Sequence, residues 1–137
     1  MQEGAETVEA LNALSGQILD AAIEVHRVLG GPGLLEGVYE EALALELGLR
    51  GLGVQRQLRI PVIYKGLVVK NPLVVDLLVS KSIIVEIKSV EQFNPIFLSQ
   101  LLTYLRITGL TLGLVINFGE RYVKNGFYRV VNKFPEI

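Results

Sequence analysis

Leu73-Val74-Val75-Asp76-Leu77-Leu78-Val79, Ser80-Lys81-Ser82 and Ile83-Ile84-Val85-Glu86-Ile87-Lys88 form the stretch that decides the fold. Two runs of β-forming residues flank three small or polar ones, which reads as a hairpin. Charges interrupt strands that are otherwise almost wholly apolar. Glu86 and Lys88 are two residues apart, so on a strand they point to one face. A three-residue loop pairs Val79 with Ile83. Asp76 then lies directly opposite Glu86, and directly opposed residues share a face. Asp76, Glu86 and Lys88 are therefore expected to converge.

The pattern on either side of this hairpin is helical first and extended later. Ile18, Ala22, Val25 and Leu29 recur at helical spacing and predict a helix over 15–29. Gly30-Gly31-Pro32-Gly33 stops it, because proline cannot continue and glycine accepts left-handed angles. A second helix is expected over 34–50, with Val38, Ala42, Leu45 and Leu49 on its buried stripe and Gly51 and Gly53 at its end. Residues 58–64 are rich in β formers, Lys65-Gly66 reads as a turn, and 67–69 as a return. Beyond Lys88, Asn94-Pro95 marks a helix start with Asn94 as cap. Leu98, Leu101, Leu102 and Leu105 give that helix its apolar face up to Gly109. Residues 111–118 form a continuous apolar strand of the kind buried on both faces. Residues 127–131 form a last strand at a sheet edge. The order α, α, β, β, β, β, α, β, β implies an α/β arrangement around one mixed sheet.

Composition limits the chemistry. The chain has 137 residues, enough for one ordinary domain. Residues 1–10 read as a loose lead-in and 11–137 as that domain. There is no cysteine, which excludes disulfides, thiolate metal sites and cysteine nucleophiles. A single histidine, His26, excludes a multi-histidine metal site within one chain. Thirteen basic against fourteen acidic residues exclude a strongly basic coat but leave room for a local basic cleft. Arg50, Arg56, Arg59, Lys65 and Lys70 could form such an edge against a phosphate backbone, or simply be surface charge. No apolar run approaches the roughly 18 residues of a membrane span. Met1 to Thr7 shows no secretory pattern, so a cytoplasmic protein is expected.

Two opposed carboxylates repel, and one of them would ordinarily have to protonate. A divalent cation between them removes the conflict. Magnesium takes hard oxygen ligands, often one or two carboxylates, with waters and phosphate completing its shell. A neighbouring lysine can stabilise charge on a phosphate in the transition state. The same three charges would also suit a solvated sheet face with ordinary ion pairs.

Asp76…Glu86-Ile87-Lys88, followed by an Asn-Pro-initiated helix, resembles the core of the PD-(D/E)XK nuclease superfamily. Gly33-Leu34-Leu35-Glu36-Gly37-Val38-Tyr39 is similar to the signature of the GxxExxY proteins, which are classed there. The similarity continues through Ile60-Pro61-Val62-Ile63-Tyr64-Lys65-Gly66, Gln100-Leu101-Leu102-Thr103-Tyr104-Leu105 and Gly113-Leu114-Val115-Ile116-Asn117-Phe118-Gly119, covering about residues 11–131. The resemblance implies a restriction-endonuclease-like core, a mixed central sheet flanked by helices. It implies Mg2+ or Mn2+ held by Asp76 and Glu86, with Lys88 as the catalytic lysine. Glu36 would be a helical acid near the metal, and Gln100 and Tyr104 a Q-x-x-x-Y pair beside it. The implied activity is metal-dependent phosphodiester hydrolysis in nucleic acid, DNA rather than RNA. In the family pattern a basic residue stands two before the strand aspartate and a histidine three before the helical glutamine; here they are Val74 and Phe97.

The alternative is a catalytically silent nuclease-fold module that binds nucleic acid or a protein partner. Either form fits a homo-oligomer paired through 67–69 or the 127–131 edge. Gly33 reads as a structural glycine, Tyr39 as a packing residue with a bonded hydroxyl, His26 as a packed or surface histidine, and Glu40 and Glu41 as a solvated helix face.

Overall fold

Residues 7–133 are described in a computed structural model. The first helix, α1, spans Val8–Val28. It starts earlier than its apolar spacing indicates, because the Thr7 hydroxyl accepts from the Ala10 N–H at 2.9 Å. Such a cap stabilises a helix by about 1 kcal/mol. Residues 8–10 of the expected lead-in are thus helical, and residues 1–6 lie outside the described part. Ile18, Ala22 and Val25 are buried, as their spacing predicts.

Helix α2 spans Glu36–Leu49, and its buried stripe is Tyr39, Glu40, Leu43 and Leu47. The expected stripe is displaced by about one position: Val38, Leu45 and Leu49 are exposed. Leu and Ala surround this helix on every side, so several phases of the 3.6 period fit the sequence. Packing chooses the phase that buries Tyr39. Its ring stacks on Phe118 at a centroid distance of 4.6 Å. Its hydroxyl donates to the Gly31 carbonyl at 2.7 Å and accepts from the Leu34 N–H at 3.2 Å. Gly33 sits at φ +120° in the loop so closed, a conformation that favours glycine. His26 is also packed, with Nε2 3.1 Å from the Phe118 carbonyl oxygen.

The main sheet contains β1 (Val54–Ile60), β4 (Leu73–Val79), β5 (Ile83–Lys88), β6 (Leu112–Asn117) and β7 (Phe127–Val131), in the order β1-β4-β5-β6-β7. Only β5 and β6 are parallel; the other neighbours are antiparallel. Parallel neighbours need a crossover, and helix α3 (Ile96–Thr108) supplies it. Pro95 takes the N-cap position, one residue later than expected; Asn94, just before it, accepts from the Ile96 N–H with Oδ1 at 3.0 Å, and Gly109 ends the helix at φ +75°. The short strands β2 (Ile63–Tyr64) and β3 (Leu67–Val68) form a separate hairpin. This is the restriction-endonuclease-like arrangement expected, a mixed sheet between helices. Among the described residues no helix is long and apolar enough to cross a membrane.

Two cores cover the two faces. One packs α1 and α2 on Leu77, Val79, Ile83, Val85, Ile87, Leu112, Leu114 and Ile116. The other packs α3 through Leu101 and Leu105 on Val75, Ile84 and Val115, with Leu58, Ile60 and Leu78 alongside. Strand β6 is buried along its whole length, as its unbroken apolar run requires.

Beyond Lys88 the chain is clamped to the end of β6. Asn117, fully buried, accepts from the Val90 N–H with Oδ1 and donates to the Val90 carbonyl with Nδ2, both at 3.0 Å. Gly119 lies against the same residue. An added Cβ would overlap the Val90 carbonyl oxygen and stand 2.7 Å from its nitrogen. Backbone cannot swing aside as a side chain can, so Gly119→Ala should destabilise by about 1–3 kcal/mol or more. Urea unfolding of the two proteins measures this; equal midpoints would contradict the close approach.

Candidate functional site

The β4–β5 register is the one the three-residue loop implies. Val79 pairs with Ile83, Leu78 with Ile84 and Leu77 with Val85. Ser80 and Lys81 turn the chain at φ +51° and +58°. At the next step the ladder gives way to the two carboxylates. Glu86 Oε2 accepts from the Asp76 backbone N–H at 2.9 Å. Asp76 Oδ2 accepts from the Ile87 backbone N–H at 2.8 Å. Each acid thus bonds the other strand's backbone, and each retains a second oxygen beyond that bond.

The faces reverse at this level. Strict alternation would put Val75, Leu77 and Val79 on one side, yet Leu77 and Val79 join the α1/α2 core and Val75 the α3 core. Strand β1 does the same: Val54 packs with the first core, Leu58 and Ile60 with the second. Its reversal falls at Gln57, whose φ is +49°. Arg56 pairs with Leu77 and Leu58 with Val75, which sets Gln57 against Asp76. Both strands break alternation at one level, and the acids lie where the sheet opens.

Lys88 stands two residues beyond Glu86 on the α3 side, with Nζ 4.4 Å from the centroid of the Phe97 ring. The residue found at the family's histidine position therefore gives the lysine ammonium a π face, worth about 0.5–2 kcal/mol. Tyr104, one turn along α3 from Gln100, is close enough to Glu86 and Asp76 to feel their charge. Burial, then these two carboxylates, raises its hydroxyl above the usual tyrosine range.

Glu86 is pushed up to about 8. Burial is the largest cause and the charge of Asp76 the next; the Asp76 N–H and Lys88 pull the other way, and Glu40 adds a smaller upward push. Such displacement is a mark of functional sites. Among the described residues no group of three or more acids and imidazoles stands close enough to hold an ion. Asp76 and Glu86 are the two carboxylates that meet across β4 and β5. Two hard carboxylates at one level suit a divalent cation whose other ligands are water and phosphate. Fitting it there would also relieve the repulsion that helps keep Glu86 protonated.

The sequence profile of the PD-(D/E)XK nuclease superfamily matches residues 12–130. The chain belongs to this superfamily. Its members generally use divalent metals. No curated protein and no solved structure matches the chain.

The superfamily's strand motif is thus brought together here, whereas the helical residues are placed less directly. Glu36 is exposed at the first position of α2, and Gln100 is exposed on α3. One turn after Glu36, Glu40 is the α2 acid that reaches the site. Expected on a solvated face, it is instead 7% exposed. Gln57 Nε2 donates to its two oxygens at 2.9 and 3.0 Å, and to Asp76 Oδ1 at 3.3 Å. Arg56 bonds Glu40 from the same side at 3.2 and 3.3 Å. The expected basic edge is correspondingly reduced: Arg56 is paired with Glu40, and Arg50 with Glu46. Sequence reading missed Glu40 and Gln57. A usable signal was present in Glu40, which continues the Glu36 face by four residues. Gln57 left none, since its role depends on a backbone reversal.

Proposed function

We propose that this protein is a divalent-metal-dependent nuclease acting on DNA, of the GxxExxY type. The observation that carries the reading is the Asp76–Glu86 pair, opposed across β4 and β5 with Lys88 on the same strand. The GxxExxY assignment is supported by Gly33 at φ +120° and by the Tyr39 hydroxyl closing the loop before α2. In this reading Asp76 and Glu86 hold Mg2+ or Mn2+, which supplies Lewis acidity toward the phosphodiester. Lys88 places positive charge beside the phosphate as negative charge grows there. Phe97 fixes the direction of that lysine. Tyr104 presents a protonated hydroxyl to the same space, and Gln100 lies one turn before it.

Incubation of the purified protein with DNA and Mn2+, beside Lys88→Met, tests this. Cleavage should fall about 100-fold or more in the variant, in the range found for loss of one electrostatic donor. Equal rates would remove Lys88 from the chemistry. Metal-independent DNA binding without cleavage would favour the silent module instead.

The reading includes a homo-oligomer. The β2–β3 hairpin exposes Ile63, Tyr64, Leu67 and Val68 at 59%, 64%, 74% and 67%. Two-stranded hairpins are marginal alone, and contiguous exposed apolar surface marks an interaction site. Light scattering at micromolar concentration should give a multiple of the chain mass; a monomer would contradict this.

A further inference from the structure

Gln57 is the only non-glycine residue inside a strand with positive φ among the described residues. The left-handed region is disfavoured for such a residue, and glycine or asparagine would occupy it more easily. Backbone strain of this kind persists where surroundings enforce it and often serves a site. Here the surroundings are two carboxylates. An amide nitrogen carries two protons: one meets the Glu40 carboxylate and the other Asp76 Oδ1. Asp76 Oδ2 is held separately by the Ile87 N–H at 2.8 Å. Its carboxylate is therefore fixed by donors from two strands, β1 on one side and β5 on the other.

The chemistry of the bridging group matters as well. A lysine or arginine at this position would neutralise Asp76 and compete with a cation. A glutamate would add a third negative charge. A neutral amide bonds both acids and leaves the charge of Asp76 intact.

We propose that Gln57 is a positioning residue: anchored by Glu40, its amide sets the orientation in which Asp76 meets a divalent cation. Glu40 acts on the site through Gln57 and is not itself a ligand. The inference rests on the metal-site reading above, and its test separates the two.

The informative variant is Gln57→Gly, which suits φ +49° and removes the amide; Gln57→Asn, too short to span both acids, is its companion should the glycine variant fail to fold. Two quantities are measured. The first is amide hydrogen exchange of Ile87 in the metal-free protein, relative to Val85 and Leu114. The second is Mn2+ affinity by calorimetry. Ile87 exchange should accelerate selectively, and Mn2+ affinity should fall about 10–100-fold, the usual effect of losing a partner that orients a ligand. Unchanged Ile87 exchange overturns the proposal whatever the metal does. Faster exchange with Mn2+ affinity unchanged also overturns it. Faster exchange in a protein whose parent binds no Mn2+ supports the hold on Asp76 and refutes the metal reading beneath it.

Discussion

Asp76→Ala is expected to abolish divalent-cation binding and metal-dependent cleavage while leaving the protein folded. Asp76 is one of the two carboxylates proposed to hold the cation. Loss of a direct ligand should exceed the roughly 10–100-fold effect of losing a ligand's outer partner, so Mn2+ affinity should fall by more than ~100-fold. The fold survives because two effects oppose. The Ile87 N–H loses its 2.8 Å acceptor, a charge-assisted bond worth about 1.5–3 kcal/mol. Glu86 simultaneously loses the charge that is the second cause of its displacement. Circular dichroism and urea unfolding should place the variant within about 2 kcal/mol of the parent. Undiminished cleavage by a folded Asp76→Ala protein would exclude the assignment.

Glu86→Gln should remove a pH dependence of stability. Glu86 titrates at about 8 in the folded protein against an ordinary value of 4.5. The native state therefore binds this proton more tightly than the unfolded chain. Its contribution is complete below about pH 4.5 and is lost as pH rises toward 8, so the metal-free parent weakens across that window. Glutamine keeps the neutral form at every pH and still offers an oxygen to the Asp76 N–H. The variant should exceed the parent by a few kcal/mol at pH 8–9 and differ little at pH 4. Added Mn2+ should restore the parent at pH 8 and leave the variant unmoved, because binding to the carboxylate competes with its proton. Parallel stability curves for the two proteins would contradict the buried, displaced glutamate.

The strand motif was legible in the sequence because its logic is local. A three-residue loop fixes the Val79–Ile83 pair, and the period of two then carries Asp76 to Glu86. The same regularity identified β6 from its unbroken apolar run and α3 from Asn94-Pro95. Failures arose where local pattern was degenerate. In α2 leucines and alanines on all sides left the phase open, and the burial of Tyr39 against Phe118 chose it. That choice turned Glu40 inward to Arg56 and Gln57. The reversal at Gln57 and Asp76 breaks alternation, and only the pairing of β1 with β4 reveals it. Phe97 stands where the family pattern has a histidine, and only the packing of α3 shows that its ring lies against the Lys88 ammonium.

The proposed activity depends on Asp76 and Glu86 holding a divalent cation. Calorimetric titration of Mn2+ at pH 9, above the value of about 8 to which Glu86 is pushed, addresses this with no assumption about substrate. It is run on the parent and on Asp76→Asn, each with and without a short DNA duplex. The parent should bind Mn2+ and the variant should not. Binding by neither, even with DNA present, or equal binding by both, would contradict it.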